Sequence, residues 1–554
     1  MFNTMLTSLS AKQMKAFYEA GHWRDDTIYA LARGWAERRP NAFALRDRHR
    51  RATYATLVEA ADRLAASLHA SGVKPGQRVA LWLPSRFENA VVLLACSRNG
   101  YVCCPSLHRD HTVGDIVELL DRMRATVLIA ETGYGADAHR HDIFERAKSI
   151  ESLTRMVRLE PLSEANAAQP LFGDLPSPEG ADFGIASDAD SIVYLAFTSG
   201  TTGVPKGVMH SDNTLLANAR AISHDWSIGE ASVVYSMSPL SHNLGLGALC
   251  MTLARGGEFV VHDLGRGMSL VDRISETGAT FVIGVPTHAI DLLAELRDRG
   301  LKALGQVKGF RISGAAVPPS VAADLMARGV VPQSGYGMTE AGSHHYTLPD
   351  DPAELIIESS GRACAGYEVK IFARDNVDEA LAIGEVGQIG GRGASLMLGY
   401  FDDQFATESS FNSEGWFMTG DLGWMDAQGY LRITGRKKDV IIRGGHNIYP
   451  ARIESLVMRH TGVERAAVLP VADERLGEKV CLAIVPRAGR EISADEMLEH
   501  LDKAGLSKFD MPEFFMSLPQ IPLTPSGKIL KRDLVSAVEQ GALVPQPVRY
   551  RAKD

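Results

Sequence analysis

The sequence predicts an α/β protein with a large N-terminal domain, built of mainly parallel sheets with flanking helices plus a β-rich subdomain, and a small α+β domain after it. Helical and strand patterns alternate from residue 53 onward, which is typical of parallel sheets covered by helices. Short strands with turns follow after about residue 355, and a new mixture of patterns begins near residue 440. The 554 residues are also too many for a single core.

The alternation begins with TYATLVEAADRLAASLHASG, where apolar residues recur every three or four positions and the pattern stops at Gly72, as helices often do. QRVALWLP is then typical of a short buried strand, and Ser85 is placed to cap the helix ENAVVLLACSRNG. VELLDRMRATVLIAE repeats the step from helix to strand. Further units are the strand SIVYLAF, TFVIGVP leading into a helix at 287–298, and GFRISGAAV with Pro318 near the next helix start.

The last third of the chain has a different texture. YEVKIFA, GEVGQIGGRG and GWFMTGDLGWMDAQGYLRITGR are short strands with turns, which predict a small antiparallel subdomain over about 355–437. KVCLAIVP, ADEMLEHLDKA and FFMSLPQIPLTPSGKILKRDL then mix strand and helix patterns. We therefore expect a separate small α+β domain at the C-terminal end.

Composition excludes several classes of protein. The net charge is −9 and the basic clusters are short and scattered, which disfavours nucleic acid or an anionic membrane as the main partner. The six cysteines form no CxxC pair, so we expect buried thiols rather than a disulfide or metal framework. Neither a signal-peptide pattern nor a 20-residue apolar run is present, so we expect a cytoplasmic protein without a transmembrane segment.

Residues 194–207, YLAFTSGTTGVPKG, run from an apolar strand into a loop rich in glycine and hydroxyl groups. Such loops hold anions with backbone N–H groups and side-chain hydroxyls. Gly207 follows Lys206, so the GK[ST] ending of a Walker loop is missing. A plain surface turn is the alternative interpretation. The loop residues concerned are Thr198, Ser199, Gly200, Thr201, Thr202, Gly203 and Lys206.

Two later segments carry residues suited to a nucleotide. In SGYGMTEAG, Tyr336 lies between two glycines, which suits an exposed ring that stacks on a base. Thr339 and Glu340 supply the oxygen ligands that Mg²⁺ prefers. In TGDLGWMDAQGYLRITGRKKD, Asp421 could accept hydrogen bonds from ribose hydroxyls and Arg436 could donate. A helix N-terminus, a turn aspartate and a solvated basic run are the alternatives.

A fourth segment, PLTPSGKILKRDL, projects Lys528 from a turn. Taken alone, this lysine reads as solvated surface. Together, however, the four segments closely resemble the adenylate-forming superfamily of acyl-CoA synthetases, which also holds luciferases and peptide-synthetase adenylation domains. The resemblance runs from TYATLVEAADRLAASL to PSGKILKRDL and so covers nearly the whole chain.

The resemblance implies an enzyme that joins a carboxylate to AMP, releases pyrophosphate and passes the acyl group to a thiol. It implies that the loop holds the β- and γ-phosphates, that Glu340 holds Mg²⁺ and that Lys528 bridges the carboxylate and the α-phosphate. Thr339 would contact the α-phosphate, and Asp421 with Arg436 would bind the ribose. The remaining ATP-binding residues implied are Gly314, Ala315, Ala316, Tyr336, Gly337 and Met338.

Relatives perform the thiol step after their C-terminal domain rotates on a hinge. The resemblance places that hinge at Lys438 and hence the domains at 1–437 and 438–554, the second a mobile lid. Rotation would withdraw Lys528 and bring Gly444, Gly445 and His446 to a pantetheine tunnel. His242 matches a residue that gates the acyl pocket in relatives, although Ser241 replaces the aromatic that often precedes it.

The substrate is predicted from the acyl pocket. The stretch SPLSHN has no carboxylate to pair with an ammonium group, which disfavours amino acids. No Arg or Lys is evident in the predicted lining, so we expect an apolar monocarboxylic acid. The resemblance to cyclohexanecarboxylate–CoA ligases and medium-chain fatty acyl-CoA synthetases indicates a cyclic or medium-chain acid. The predicted pocket residues are Pro239, His242, Asn243, Val285, Thr287, Gly335, Gly337, Met338 and Ala341.

Three functional hypotheses stay open at this point. The sequence ends soon after Lys528, so the acceptor thiol is expected to be separate, with coenzyme A as the first choice. An acyl carrier protein is the alternative acceptor. A non-catalytic relative that senses nucleotide or acyl groups is the third hypothesis, which the complete set of motif residues disfavours. A homodimer is left open as the assembly.

Overall fold

A computed structural model describes residues 7, 9–172, 175, 188–198, 205–265, 267–314, 317–444, 446–524 and 529–550. Its strands in chain order are β1 (Phe43–Arg46), β2 (Arg51–Thr53), β3 (Arg78–Trp82), β4 (Val102–Cys104), β5 (Ala125–Glu131), β6 (Arg155–Leu159), β7 (Ile192–Thr198), β8 (Lys206–Ser211), β9 (Val233–Ser236), β10 (Glu258–Val261), β11 (Phe281–Gly284), β12 (Gly309–Ile312), β13 (Val331–Met338), β14 (Gly342–Tyr346), β15 (Arg362–Ala363), β16 (Tyr367–Phe372), β17 (Gly387–Gly393), β18 (Gly399–Tyr400), β19 (Phe417–Met425), β20 (Leu431–Arg436), β21 (Ile441–Arg443), β22 (His446–Ile448), β23 (Val463–Asp473), β24 (Gly477–Pro486), β25 (Phe514–Ser517) and β26 (Gln546–Pro547).

The α-helices in chain order are α1 (Ala11–Glu19), α2 (Ile28–Arg38), α3 (Tyr54–Ala70), α4 (Phe87–Asn99), α5 (Val113–Arg122), α6 (Ile143–Arg146), α7 (Asp212–Asp225), α8 (Asn243–Arg255), α9 (Leu270–Thr277), α10 (Pro286–Asp298), α11 (Pro319–Ala327), α12 (Ala353–Glu358), α13 (Gln404–Ser409), α14 (Pro450–Val457), α15 (Ala494–Lys503) and α16 (Lys531–Glu539). Short 3₁₀ turns cover Ala147–Ser149 and Lys437–Asp439.

Two large sheets form the N-terminal part of the molecule. One has the strand order β15-β14-β13-β12-β11-β9-β10-β1-β2 and the other β18-β8-β7-β4-β3-β5-β6. In both, the central pairings are parallel. Antiparallel strands lie at both edges of the first sheet but at only one edge of the second, because β6 pairs parallel with β5. Helices that link parallel strands must cross a sheet face, and these helices bury the strands. The α/β class predicted from the alternation is confirmed.

The β-rich segment forms a third, wholly antiparallel sheet in the order β16-β17-β19-β20. The last sheet has the order β22-β21-β24-β25-β26, with β23 also paired to β24. Two clusters of buried residues in this C-terminal part draw all their members from residues after 440. These observations fit a separate small α+β unit, and the boundary between 437 and 438 stays a prediction.

One predicted helix cap is wrong. Ser85 does not cap α4, because its hydroxyl accepts a hydrogen bond from the Leu240 amide at 2.9 Å. The helix begins after Arg86, whose own amide donates to the side chain of Asn89 at 3.0 Å. A serine near a helix start can thus join two distant segments instead of closing the local turn. In the described ranges, no helix has both the length and the apolar character needed to cross a bilayer.

Candidate active site

A cavity of about 130 Å³ lies between α7, α8 and the carboxyl ends of β12 and β13. Ser211 caps α7 by accepting from the amide of Thr214 at 3.2 Å, and this start directs Asn218 and Ile222 of the helix towards the cavity. Helix α8 begins beside the turn at Pro239, where a side chain on Gly245 would meet the Pro239 carbonyl at 2.2 Å. The glycine therefore allows α8 to close one wall of the cavity.

The cavity brings together many of the predicted acyl-pocket residues. His242, Asn243, Val285, Gly337 and Met338 line it, and so do Gly314 and Thr339 of the predicted nucleotide site. The predicted residues Pro239, Thr287, Gly335 and Ala341 are not among the lining residues. One cavity is therefore lined by residues of both the predicted acyl pocket and the predicted nucleotide site, the latter being Thr339 and Gly314.

A carboxylate and two partners form the ribose end of the predicted nucleotide site. Asp421 accepts a hydrogen bond from the Tyr336 hydroxyl at 2.8 Å. It also forms an ion pair with Arg436, whose Nε lies 3.0 Å from Oδ1. Asp421 and Arg436 are direct cross-strand neighbours on β19 and β20. The prediction that Tyr336 exposes its ring is wrong, because only 7% of the residue is exposed and its ring packs against His344. Gly337 lets β14 approach β13 closely, since a Cβ there would lie 2.0 Å from the Gly342 carbonyl oxygen.

Replacing Asp421 with Asn is expected to raise the KM for ATP by about 10–100-fold, because hydrogen bonds to a charged acceptor contribute about 1.5–3 kcal/mol each. Initial rates against ATP concentration measure this change. The matched control is Asp426→Asn, since Asp426 pairs with Arg432 on the same hairpin, away from the cavity. An unchanged KM in the Asp421 variant would exclude the ribose role.

Glu340 lies beside two groups that favour its charge. The Tyr400 hydroxyl donates to Oε1 of Glu340 at 3.0 Å, and the Lys206 ammonium lies 4.7 Å from the Tyr400 ring centroid. Burial raises the pKa of Glu340 above its usual value, and Tyr400 and Lys206 offset part of that rise. Lys206 and Glu340, which belong to two separate motifs, therefore both contact Tyr400. Tyr400, from a third segment, was missed because nothing in its local sequence indicates the contact.

A buried histidine that local sequence patterns do not single out holds the backbone of Thr339. His210 Nε2 donates to the Thr339 carbonyl at 2.6 Å, and its Nδ1 lies 3.0 Å from Thr214 Oγ1. Burial lowers the pKa of His210 to about 4, so the ring is neutral at pH 7. His345, opposite Tyr336 on β14, has its pKa lowered to about 3 by the same cause. Both rings are almost completely buried.

These two histidines predict that the protein loses stability in mild acid. Below about pH 6.5 such a histidine takes up a proton in the unfolded chain but stays neutral in the native state. Each drop in pH towards the folded pKa therefore favours the unfolded chain. The free energy of unfolding should therefore fall by about 1.4 kcal/mol per pH unit for each group between pH 6.5 and 4. Urea unfolding at several pH values measures the slope. A His345→Gln variant should have a shallower slope.

The control for this experiment is His224→Gln, whose side chain is 83% exposed. We expect this variant to keep the slope of the parent protein. Equal slopes for all three proteins would contradict the assignment.

The predicted gate residue His242 lies against a second histidine. Its ring stacks on His108 with centroids 4.1 Å apart, and His108 Nδ1 lies 3.0 Å from Ser241 Oγ. Burial and the neighbouring His111 lower the pKa of His108 to about 4. Ser241, which replaces the expected aromatic, therefore belongs to a polar contact beside the gate position. The gating role of His242 stays a prediction.

The expectation that the acyl pocket holds no Arg or Lys is wrong. Arg311 of β12 lines the cavity and is only 5% exposed. Arg311 is the single cation in the apolar stretch GFRIS, which is a sequence signal for it. The residues predicted to line the pocket come from three other segments. Burial lowers the pKa of Arg311 to about 10, so the guanidinium is charged at neutral pH.

Several predicted site residues lie outside the described residues. They are Ser199, Gly200, Thr201, Thr202 and Gly203 of the phosphate loop, Ala315 and Ala316, Gly445, and Lys528. Thr198 ends β7 and pairs with Lys206 at the start of β8.

The predicted hinge and coenzyme A residues lie at the start of the C-terminal unit. Lys438 is exposed in the 3₁₀ turn that follows β20. Gly444 adopts a φ of +56°, and its amide donates to the Leu476 carbonyl at 2.7 Å. His446 is exposed and its Nε2 lies 2.7 Å from Asp510 Oδ1. Their roles in a hinge and a tunnel stay predictions.

Fold and site together define an adenylate-forming class of enzyme. A family model described as "AMP-binding enzyme" matches residues 32–401, and one described as "AMP-binding enzyme C-terminal domain" matches residues 452–528. The chain therefore belongs to the AMP-binding enzymes, and it is an acyl-CoA synthetase of the adenylate-forming superfamily, an acid–thiol ligase that forms AMP.

Named relatives agree along almost the full length. The chain is 30% identical to the medium-chain fatty-acid–CoA ligase of Escherichia coli K12, over 97% of this chain and 96% of that protein. It is 32% identical to a feruloyl-CoA synthase of Amycolatopsis, over 90% and 97%. The crystal structure of ATP-bound MatB from Rhodopseudomonas palustris is 26% identical, with a TM-score of 0.81 over 94% of this chain and all of that one.

Proposed function

We propose that this enzyme activates a carboxylic acid of medium size, with a cyclic or medium-chain carbon skeleton, and transfers its acyl group to coenzyme A. The supporting observation is the single cavity in which Thr339 and Gly314 of the nucleotide site adjoin the walls of the acyl pocket. An acid bound there has its carboxylate next to the α-phosphate of ATP. Holding two reactants in contact is the main contribution that a protein makes to phosphoryl and nucleotidyl transfer.

In the proposed first step, a carboxylate oxygen attacks the α-phosphorus of ATP and the bond to the β-phosphate oxygen breaks. The products are an acyl adenylate and pyrophosphate. Because both reactants are anions, positive charge must gather around them, and Lys206 with Lys528 would supply it. In the second step the sulfur of coenzyme A attacks the acyl carbon, AMP leaves and the thiol proton is released.

Mg²⁺ fits this site with one protein carboxylate. In the described part of the chain, no group of three or more His, Cys, Asp and Glu residues could hold a metal ion without other ligands. Mg²⁺ usually takes one or two carboxylates and completes its shell with phosphate oxygens and water. Glu340, held by Tyr400, is the residue that would bind it, and the cation would neutralise charge on the departing pyrophosphate.

The size of the cavity supports an acid with one ring or a short to medium chain. Its volume of about 130 Å³ is close to the roughly 150 Å³ of an engineered cavity that binds benzene. Leu215, Ala219, Ile222, Leu244 and Val285 supply apolar walls, as expected for a hydrocarbon skeleton. The relatives named above act on acids of both kinds, medium-chain fatty acids and an aromatic acid.

We further propose that residues 438–554 move as a lid between the two steps, with the hinge at Lys438. Lys528 would act in the first step, and Gly444, Gly445 and His446 would line the coenzyme A tunnel in the second. A moving lid protects the adenylate from water before the thiol enters. The exposed position of Lys438 between two sheets supports the hinge.

A panel of cyclic, aromatic and straight-chain acids with ATP and coenzyme A tests the proposal. We expect acyl-CoA, AMP and pyrophosphate in equal amounts with ring or six- to ten-carbon acids. The same acids are offered with an acyl carrier protein in place of coenzyme A. Thioester formed only on the carrier protein would overturn the choice of thiol.

A further inference from the structure

Arg311 is buried without a partner among the residues that the structure describes. Its residue is only 5% exposed, yet among the residues that the structure describes none forms a hydrogen bond or ion pair with its guanidinium, and its Nε is completely buried without a partner. The groups with which it interacts electrostatically are the Tyr346 hydroxyl and the Cys364 thiol. Neither is anionic, since burial raises the pKa of Cys364 to about 12 and that of Tyr346 further, and the Tyr346 hydroxyl donates to Asp225 at 2.7 Å.

A second polar side chain without a partner lies next to it. Arg311 on β12 is the register partner of Gln333 on β13, so the two side chains leave the sheet on the same face. Gln333 is fully buried, and within the described ranges neither its Oε1 nor its Nε2 has a hydrogen-bond partner. Adjacent buried polar groups without partners are rare in native proteins, and a ligand that enters the cavity is one partner that would satisfy them.

The position of Arg311 fixes which part of the substrate could reach it. Gly314 and Thr339 line the part of the cavity that adjoins the proposed nucleotide site, where the reacting carboxylate would lie. Arg311 lies within β12, whereas Gly314 lies beyond the carboxyl end of that strand, so Arg311 is further from the nucleotide residues along the strand axis. The guanidinium therefore faces the far end of the acyl group rather than the reacting centre.

We propose that the natural substrate carries a hydrogen-bond-accepting oxygen at the end remote from the reacting carboxylate, with a second carboxylate or a ketone as the matching groups, and that Arg311 binds it. This inference rests on the proposed function. An unpaired buried charge is costly, and an acceptor oxygen removes that cost only when the correct acid is bound. A site built to hydrogen-bond a substrate group discriminates against analogues that lack the group by up to 10⁴–10⁵-fold.

Matched acids test the inference. Cyclohexanecarboxylate is compared with 4-oxocyclohexanecarboxylate and trans-cyclohexane-1,4-dicarboxylate, and hexanoate with adipate, by kcat/KM in acid-dependent ATP–pyrophosphate exchange. We expect an acceptor-bearing acid to be favoured over its parent by at least ~100-fold in the wild-type enzyme. Arg311→Met, which keeps an unbranched apolar stem but removes the charge, should reduce this ratio below about tenfold and lower the KM for the parent acid. A purely structural role would not produce that lower KM.

Two further variants keep the test decisive. Arg311→Lys retains the charge but loses the planar fork, so it should keep a preference for the acceptor-bearing acid that is weaker by about tenfold. Arg299→Met removes a surface arginine paired with Asp272 and Glu295 and should behave as wild type.

The inference is overturned if wild type prefers the parent acids, if Arg311→Met leaves the ratio unchanged, or if that variant loses all acids equally. Should Arg311→Met fail to fold, as judged by its thermal unfolding, the ratio measured for Arg311→Lys decides alone. Exchange with any acid upholds the proposed function whatever the ratio, so the two failures are distinguishable.

Discussion

Replacement of Glu340 with Gln is expected to lower acid-dependent ATP–pyrophosphate exchange by at least ~100-fold at 1 mM Mg²⁺. Changes to groups that merely orient a metal ligand already cost about 10–100-fold in metal affinity or activity, and this change removes the carboxylate itself. The amide keeps the shape of the side chain and its contact with the Tyr400 hydroxyl, which lies 3.0 Å from Oε1. A steady-state titration with Mg²⁺ measures the effect.

Tyr400→Phe is the matched control for Glu340, because it removes the hydrogen bond but leaves the carboxylate. We expect this variant to need about 10-fold more Mg²⁺ and to recover wild-type activity at saturation. Glu340→Gln should recover little. A Glu340→Gln enzyme that reaches the wild-type rate at low Mg²⁺ would exclude the metal-binding role.

Replacement of Lys528 with Ala should slow adenylate formation by about 10²–10³-fold, the usual cost of removing one donor that stabilises charge in a transition state. The thioester step should change much less, because the proposed lid motion withdraws this lysine before coenzyme A reacts. Single-turnover assays started with ATP and acid, or with the prepared acyl adenylate and coenzyme A, separate the two steps.

Lys503→Ala is the control for Lys528, since Lys503 is an exposed lysine of the same C-terminal unit that pairs with Glu499 four residues earlier. It should leave both steps unchanged. Equal losses in both steps of the Lys528 variant would argue for a structural role and against the assignment made from the resemblance.

Much of the fold was predictable because its signals are local. The helix ending before Gly72 and the strand of QRVALWLP appear as α3 and β3, since amphipathic spacing and a short apolar run each identify one kind of element. The nucleotide residues were predictable for another reason. Asp421 and Arg436 lie in one motif, and the hairpin formed by β19 and β20 makes them cross-strand neighbours. Residues this near in sequence can be expected to lie near each other in a hairpin.

Other features depend on contacts between distant segments, which local patterns do not contain. Tyr400 reaches Glu340 across 60 residues and His210 reaches Thr339 across 129. The local pattern predicts Ser85 as a helix cap, whereas its hydroxyl accepts a hydrogen bond from an amide 155 residues away. Arg311 differs from these cases. Its strand is predictable from the sequence, but the face of that strand that lines the cavity is not.

Isotope exchange between pyrophosphate and ATP, measured with and without an acid from the panel, reports adenylate formation alone. We expect label to enter ATP only when acid is present and without any thiol, since adenylate formation is reversible and precedes transfer. Adding coenzyme A should then convert the acid to acyl-CoA with release of AMP. Absence of exchange with every acid, or release of ADP and phosphate instead of AMP and pyrophosphate, would contradict the account.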